Sequence, residues 1–391
     1  MIRSSVKELD ILFLLTVLSL VSIGIVMVYS SSSFYALEIT KLKSTSVFLK
    51  RQLVPIIIGI VIFLVTAFIN YSILKKFAKL FLIVGFCLLI YVLIWGEEIN
   101  GARRWIVVMG RSFMPVDFAR IFLFIYLASA LSSKQRKKQD FVHGFLPIFV
   151  VVIAYTLLVL RQPNLSSALS ILLVSGIMLF IGGVKSKYIV LCLLILLLFI
   201  PVVVKIFHFH YIAVRMGMFF DLIGGKPPYQ IRQSLIGIGS GGFWGVGLGA
   251  GRAKLLFLPM PYSDFIFAII AEELGFARAA LILGLFLFLF LLGWKISKSA
   301  KDEFGRLLGF VLNINIFVIA MLHIGIVLGM LPTSGLPLPF VSFGGSSLLA
   351  NFIAVGILVN ISMNSRKEQN ADYYGSGWNR GASLPWYRHR S

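Results

Sequence analysis

The chain of 391 residues is 59% hydrophobic and 13% charged, with 36 Lys and Arg against 15 Asp and Glu, a formal net charge of +21. A soluble domain carries about 45–50% apolar and about 25% charged residues, so a water-facing globule and a disordered chain are both excluded. What remains is a polytopic membrane protein, in which a basic excess speaks of loop topology and anionic lipid rather than nucleic acid.

The start, Met1 to Asp10, is short and polar, and Glu8 and Asp10 suit an uncleaved first span better than the basic end of a signal peptide. A spanning helix needs roughly 20 apolar residues, and lipid tolerates no unpaired backbone, so apolar runs read as helices. The runs lie at 11–30, 53–69, 77–95, 115–132, 143–160, 165–182, 188–206, 264–293, 307–330 and 346–362. They predict an all-α membrane protein of about ten transmembrane helices. Pro55, Pro115 and Pro147 fall in first turns, where proline is tolerated. Cys87 and Cys192 lie inside apolar runs and form neither a disulfide framework nor a metal pattern.

With both termini cytoplasmic, the inner segments hold Arg3, Lys7, Lys75, Lys76 and Lys79, then Lys134, Arg136, Lys137, Lys138, Lys185 and Lys187. They continue with Lys295, Lys298, Lys301 and Arg306, and with Arg366, Lys367, Arg380, Arg388 and Arg390. More than half of the 36 basic residues thus sit inside, which selects this orientation and places a large extracytoplasmic loop between helices seven and eight. The spans form one domain over 1–364. Residues 365–391 read as a polar cytoplasmic tail, disordered, in which Trp378, Trp386 and Tyr387 beside arginines suit a membrane surface or a partner.

The outer loops hold the unusual material. Residues 31–52 are modestly polar, 96–114 read GEEINGARRWIVVMGRSFM, 207–263 form the longest non-spanning stretch, and 331–347 read LPTSGLPLPFVSFGGSS. GIGSGG at 237–242 matches GxGxxG but lacks the βαβ setting of a dinucleotide site. Gly237 to Gly251 read instead as a flexible or tightly turned segment that lets backbone approach a ligand. His208 and His210 lack further ligands, so no metal site is expected, and His323 in the ninth span is expected to be packed or hydrogen-bonded.

Charges at the outer ends of spans carry the chemistry. Asp264 opens the eighth run, either as an N-cap or as a functional carboxylate at the positive end of the helix dipole. Glu272 and Glu273 lie deeper and need a partner such as Arg278, or water. Asp117 and Arg120, three apart, share a helix face; they pair with each other or line a cavity with Asp264. Arg103, Arg104 and Arg111 precede them, and Arg252 and Lys254 lie in the long loop. Cations gathered outside with few acids suit an anion, and the arginine fork matches phosphate oxygens. A pyrophosphate on a lipid tail satisfies both the apolar and the basic features.

NGARRWI (100–106), YQIRQSLIGIGSGGFWGVGLGAGRAKLLFLP (229–259), DFIFAIIAEELGF (264–276) and GLPLPFVSFGGSSLLAN (335–351) together make the chain recognisable. It resembles the SEDS family of shape, elongation, division and sporulation proteins (FtsW/RodA/SpoVE) over nearly its whole length. VYSSSS (28–33) and GRAKLLFLP look more like the division branch than the elongation branch. The resemblance implies a ten-helix peptidoglycan glycosyltransferase of the bacterial cytoplasmic (inner) membrane, acting at the division site. It would polymerise lipid II on the outer face alongside a class B penicillin-binding protein, divisome proteins and membrane lipids. By the same resemblance Asp264 matches the essential aspartate, and Arg104 and Trp105 match the first loop motif. Gln162 with Pro163 matches the start of QPDLGTA, and Lys254 matches the basic residue of the long loop.

Some positions depart from the family pattern. QPSE-x-x-K reads MPVDFAR, so Met114 and Asp117 differ and Arg120 stands for a lysine. QPDLGTA reads QPNLSSA, placing Asn164 where a carboxylate is usual, and LPEAHTD reads LPMPYSD, placing Met260 and Tyr262 beside Asp264. The implied reaction joins the 4-hydroxyl of an acceptor GlcNAc to C1 of a donor MurNAc with inversion, expelling undecaprenyl pyrophosphate. It needs a base, with Asp264 either that base or the group that positions the acceptor, and positive charge on the leaving group from Arg104, Arg120 and Lys254 together with a divalent cation (Mg or Mn); no other cofactor is expected. Asp117 and Gln162 complete the expected substrate-binding set. The alternatives are an elongation polymerase of the same family, a lipid II flippase, and a non-catalytic scaffold for the partner synthase.

Overall fold

A computed structural model describes residues 2–38, 44–99, 101–108, 110–133, 140–192, 194, 210–255 and 257–381. Among these, seven helices are long and apolar enough to cross a membrane. They are α1 (Ile2–Glu38), α2 (Val47–Phe68), α4 (Ala78–Trp95), α6 (Leu146–Arg161, entered through a π-helical turn at Phe141–Phe145), α10 (Ile266–Lys298), α11 (Glu303–Val327) and α12 (Gly345–Gly381). The short α3 (Ser72–Lys76) links α2 to α4, and α5 (Val116–Ser132) and α7 (Leu165–Ile181) are shorter apolar helices of 17 residues each. These coincide with every expected span except 188–206, which is helical as far as 192 and then leaves the described residues together with His208 and the basic stretch at 134–139.

The helices pack α2 against α12, α4 against α5, and α10 against α1 and α11. Their buried faces share one core whose largest fully enclosed side chains include Phe13, Phe124, Phe145, Tyr155, Phe286 and Phe304. Apolar residues such as Ile57, Val61, Ile83 and Leu281 point outward instead. In water such surface would drive association; against lipid tails it is the solvent-matched face. Arg366 of α12 bonds the buried Asp10 of α1, tying the first helix to the last. α12 continues past the boundary expected at 364 to Gly381, and 382–391, with Trp386 and Tyr387, lie outside the described residues.

Two segments expected as outer loops differ from expectation. Residues 96–114 form an antiparallel meander, β1 (Glu97–Ile99), β2 (Ala102–Val108) and β3 (Arg111–Phe113), rather than an irregular loop. The pairs Ile99↔Ala102 and Val108↔Arg111 leave two-residue connections that each end in a glycine at positive φ, Gly101 and Gly110. Asn-Gly between two short strands is a hairpin signal that the charge density of this stretch obscures. The long stretch before α10 holds two helices, α8 (His210–Ile223) and α9 (Tyr229–Gly241). Gly237 to Gly241 are therefore helical, not a flexible turn: a Cβ on Gly241 would sit 2.1 Å from Ala271 O, so glycine here lets α9 lie directly on α10.

α10 is not one continuous span. It breaks at Gly275 (φ 80, ψ 174), a conformation essentially restricted to glycine. The turn that follows α9 fills the break. Val246 and Gly247 N–H donate to Glu272 and Glu273 carbonyls at 3.0 Å, and Phe276 and Ala277 N–H donate to Gly242 and Phe243 carbonyls at 2.9 and 3.2 Å. Broken helices survive at membrane depth when other backbone takes up the freed groups, and this turn does so. The result is a rigid leading segment, Ile266–Leu274, with Asp264 just ahead of it.

Candidate active site

A cavity of about 630 Å³ lies between the β-meander, α8, the approach to α10 and the start of α12, within the range of ordinary ligand sites. Arg104, Trp105, Asp117, Arg215 and Asp264 line it.

Alternation along the strand separates Arg104 from Arg103, and Trp105 lines the cavity beside Arg104. Arg103 turns outward to the exposed Glu98, its register partner, while Ala102 and Arg104 face the cavity. The Arg104 guanidinium is anchored by backbone, with Nε donating to Gln162 O at 3.0 Å and Nη2 donating to Pro163 O. Burial, then the neighbouring Arg215, draw its pKa down to about 10. It stays cationic at neutral pH.

Arg215 is the site residue that the sequence did not single out. It lies on α8, within the stretch expected to be a loop, and faces the cavity beside Tyr211 and Arg104. Burial lowers its pKa, opposed by Tyr211 and Asp264. Only the helical periodicity of 210–223 could have marked it.

Asp264 does not cap α10: Phe265 occupies the N-cap position and no side chain caps there. Its carboxylate instead accepts from Ser263 Oγ at 2.9 Å, and its backbone N–H donates to Met260 O at 3.2 Å. Burial raises its pKa, while the Ser263 hydrogen bond, Arg104 and Arg215 pull it back. A Cβ on Gly335 would come within 3.0 Å of Asp264 Oδ2, so the 331–344 segment closes directly over the carboxylate.

The other expected residues divide. Trp105 lines the cavity, with the Arg104 guanidinium 5.7 Å from its ring. Asp117 lines it too, but its Oδ1 takes Arg120 Nη2 at 2.9 Å, and Arg120 donates on to Ser170 at 3.0 Å away from the cavity lining. Gln162 is 1% exposed and its side-chain amide is engaged with Leu89 O at 3.0 Å; it serves the site through its own carbonyl, which holds Arg104.

Lys254 does not reach the cavity. It is 4% exposed, with Nζ 2.5 Å from Glu273 Oε1 and 3.1 Å from Ser30 Oγ. Arg278, the partner expected for the two glutamates, bonds the carbonyls of Trp244 and Leu274 instead, because the break at Gly275 leaves those acceptors open. Glu272 is held by the N–H groups of Arg252 and Ala253. His323 is buried with Nδ1 2.6 Å from Leu336 O. Glu272, Glu273, Arg278 and His323 thus each make at least one internal bond, while His323 Nε2 has none among the described residues.

The departures from the family pattern have local explanations. Asn164 caps α7, accepting from Ser167 N–H at 3.3 Å, a task amide and carboxylate oxygens perform alike. Tyr262 donates to Met260 Sδ at 3.3 Å and packs among Tyr35, Phe48 and Phe343, so it supports the cavity wall through ring contacts.

Comparison with known proteins agrees with this architecture. The family described as Cell cycle protein (FtsW/RodA/SpoVE) matches residues 10–367. The chain is 39% identical over 361 residues to the probable peptidoglycan glycosyltransferase FtsW of Trichlorobacter lovleyi, covering 91% of this chain and 93% of that one. It is 36% identical over 361 residues to the stage V sporulation protein E of Bacillus subtilis, covering 91% and 98%. Its fold superposes on the rod shape determining protein RodA of Thermus thermophilus with a TM-score of 0.67 at 24% identity, covering 90% and 96%. A chain from the structure reported as "Structural coordination of polymerization and crosslinking by a peptidoglycan synthase complex" gives a TM-score of 0.72 at 23% identity, covering 90% and 97%. The chain belongs to the FtsW/RodA/SpoVE family, the SEDS family of membrane proteins.

Proposed function

We propose that this membrane protein is a peptidoglycan glycosyltransferase that polymerises lipid II at the outer face of the cytoplasmic membrane. The observation that carries the proposal is the Asp264 carboxylate facing two guanidinium groups, Arg104 and Arg215, in one cavity whose other carboxylate, Asp117, is paired with Arg120. In the reaction the acceptor GlcNAc 4-oxygen forms a bond to C1 of the donor MurNAc. The bond from C1 to the phosphate oxygen breaks, and its electron pair leaves with undecaprenyl pyrophosphate. Asp264 takes the hydroxyl proton. A carboxylate lifted by burial is a stronger base than an exposed one, and the adjacent arginines keep its ionised form accessible. Arg104 and Arg215 stand where negative charge grows on the departing pyrophosphate, the role in which preorganised cations contribute most. Inversion follows from a single in-line displacement.

A divalent cation, Mg or Mn, would find one open carboxylate here, Asp264, since Asp117 is paired with Arg120. Such an ion would share its charge with the two arginines on the pyrophosphate. The same reading places both termini in the cytoplasm, the protein at the division site, and a class B penicillin-binding protein and divisome proteins beside it. A relative named FtsW and a fold shared with a chain of a peptidoglycan synthase complex support this setting.

Purified protein in vesicles, supplied with labelled lipid II with and without its partner synthase, tests the reading. Glycan polymer is expected. Transfer of labelled lipid between leaflets without polymer identifies a flippase instead, and neither product identifies a scaffold.

A further inference from the structure

Polymerisation brings together two lipid-linked substrates, and each carries a pyrophosphate. One leaves with the donor's lipid; the other stays on the acceptor, one disaccharide away from the attacking hydroxyl. Arg104 and Arg215 can serve the first. We propose, resting on the polymerase reading, that the first turn of α12 is a second phosphate subsite of the same cavity and holds the acceptor's pyrophosphate.

The start of α12 forms part of the cavity wall, through Gly344, Gly345, Ser346 and Ser347. The first N–H groups of a helix have no partner within it, and together with the helix dipole they favour a bound anion. Leu348 N–H already bonds Gly344 O at 3.0 Å, which leaves the N–H groups just ahead of it as the open donors.

Two side chains point to a ligand independently of the helix end. Ser347 is 7% exposed and lines the cavity, yet its hydroxyl has no hydrogen-bond partner among the described residues. The Ser334 hydroxyl, on the same lining, is buried and also without a partner. The Ser347 hydroxyl opens to the cavity with its donor free, and burying the Ser334 hydroxyl without a partner is costly; a ligand or ordered water resolves both. Ser346 Oγ accepts from Met114 N–H at 2.8 Å, so its own O–H stays available to donate. Asp117 lines the cavity as well, but its charge is matched by Arg120.

The two ends of the cavity differ in chemistry as the two pyrophosphates differ in fate. Cations suit the group whose negative charge increases in the transition state. Neutral N–H and O–H donors suit an anion whose charge does not change. The subsite therefore fits a phosphate that is bound and kept, not one that is released.

Calorimetric titration of the detergent-purified protein with geranyl pyrophosphate, which has no sugar and cannot turn over, tests this. Two sites per chain are expected. Ser347→Asp, which places a negative charge in the subsite, should abolish one site and leave the other, and the surviving site reports an intact fold. Ser347→Ala should weaken that site about two- to tenfold, the range for one lost hydrogen bond. Replacing both Arg104 and Arg215 by Gln should remove the other site and spare this one. Inorganic pyrophosphate should bind the α12 site at least about tenfold more weakly, since it lacks buried methylenes; equal affinity would contradict a lipid-linked ligand. One site in the wild type, or two retained in Ser347→Asp, overturns the proposal while leaving the polymerase reading intact. No binding at all contradicts both.

Discussion

Lys254 Nζ lies 2.5 Å from Glu273 Oε1, and Ser30 of α1 bonds both partners, donating to Glu273 Oε2 at 2.6 Å. Both charged side chains are nearly inaccessible to solvent. The pair pins the glycine-rich turn to the leading segment of α10 and to α1. A basic residue in a family motif is thus held inside the fold, away from the cavity lining.

Removing one member of a buried pair strands the other charge. Lys254→Met should lower stability by about 3–5 kcal/mol, and Lys254→Met with Glu273→Leu should recover most of that loss. Thermal unfolding in detergent measures both. A Lys254→Met protein of unchanged stability that has lost polymerisation would instead put Lys254 on the substrate.

Gly275→Ala should destabilise the protein severely. A Cβ there would lie 2.2 Å from Gly245 N, and the backbone at φ 80 is unfavourable for any other residue. Gly284, in the same helix with open space around its Cβ position, should accept alanine with a small gain. Folded yield and unfolding temperature of the two variants decide this.

Arg215→Gln should reduce kcat about 10²–10³-fold, the usual cost of removing one donor to developing negative charge. Its unfolding temperature should not fall. Arg215→Lys should recover part of the rate, since lysine keeps the charge but not the fork. Steady-state polymerisation read as kcat and KM separately tests the assignment.

Asp264 gives two linked pH effects of opposite sign. Its pKa is raised from 3.8 by burial, so folding favours the protonated form. Activity should rise with pH as the carboxylate ionises. Stability should fall over the same window, from the unfolded value near 3.8 up to the higher folded value. Asp264→Asn should therefore raise the unfolding temperature at neutral pH and have no effect at pH 3. A mutant that is less stable at neutral pH would show that the ionised carboxylate stabilises the fold.

Much of this was legible in the sequence because lipid imposes one rule: an apolar run must be a helix. The spans from α1 to α12 follow from that rule, and Arg104, Trp105, Asp117 and Asp264 reach the cavity as expected. The break in α10 was not legible, because Gly275 sits in an apolar run that a continuous helix would also satisfy. Lys254 was misplaced for a related reason: a lysine in an outer loop looks solvated until the loop is seen folding back onto Glu273. Arg215 was missed because, in a stretch expected to be a loop, the helical periodicity of 210–223 that puts it on one face of α8 carries no weight.

Whether Asp264, set among Arg104 and Arg215, is the base of a polymerase rests on one experiment. The most direct measurement is glycan-strand synthesis from lipid II by the purified protein with its partner synthase, comparing wild type with Asp264→Asn. A loss of about 10²–10⁴ in rate is expected, with the mutant folded, inserted and still binding isoprenyl pyrophosphate. Polymer made at the wild-type rate by Asp264→Asn would contradict that role.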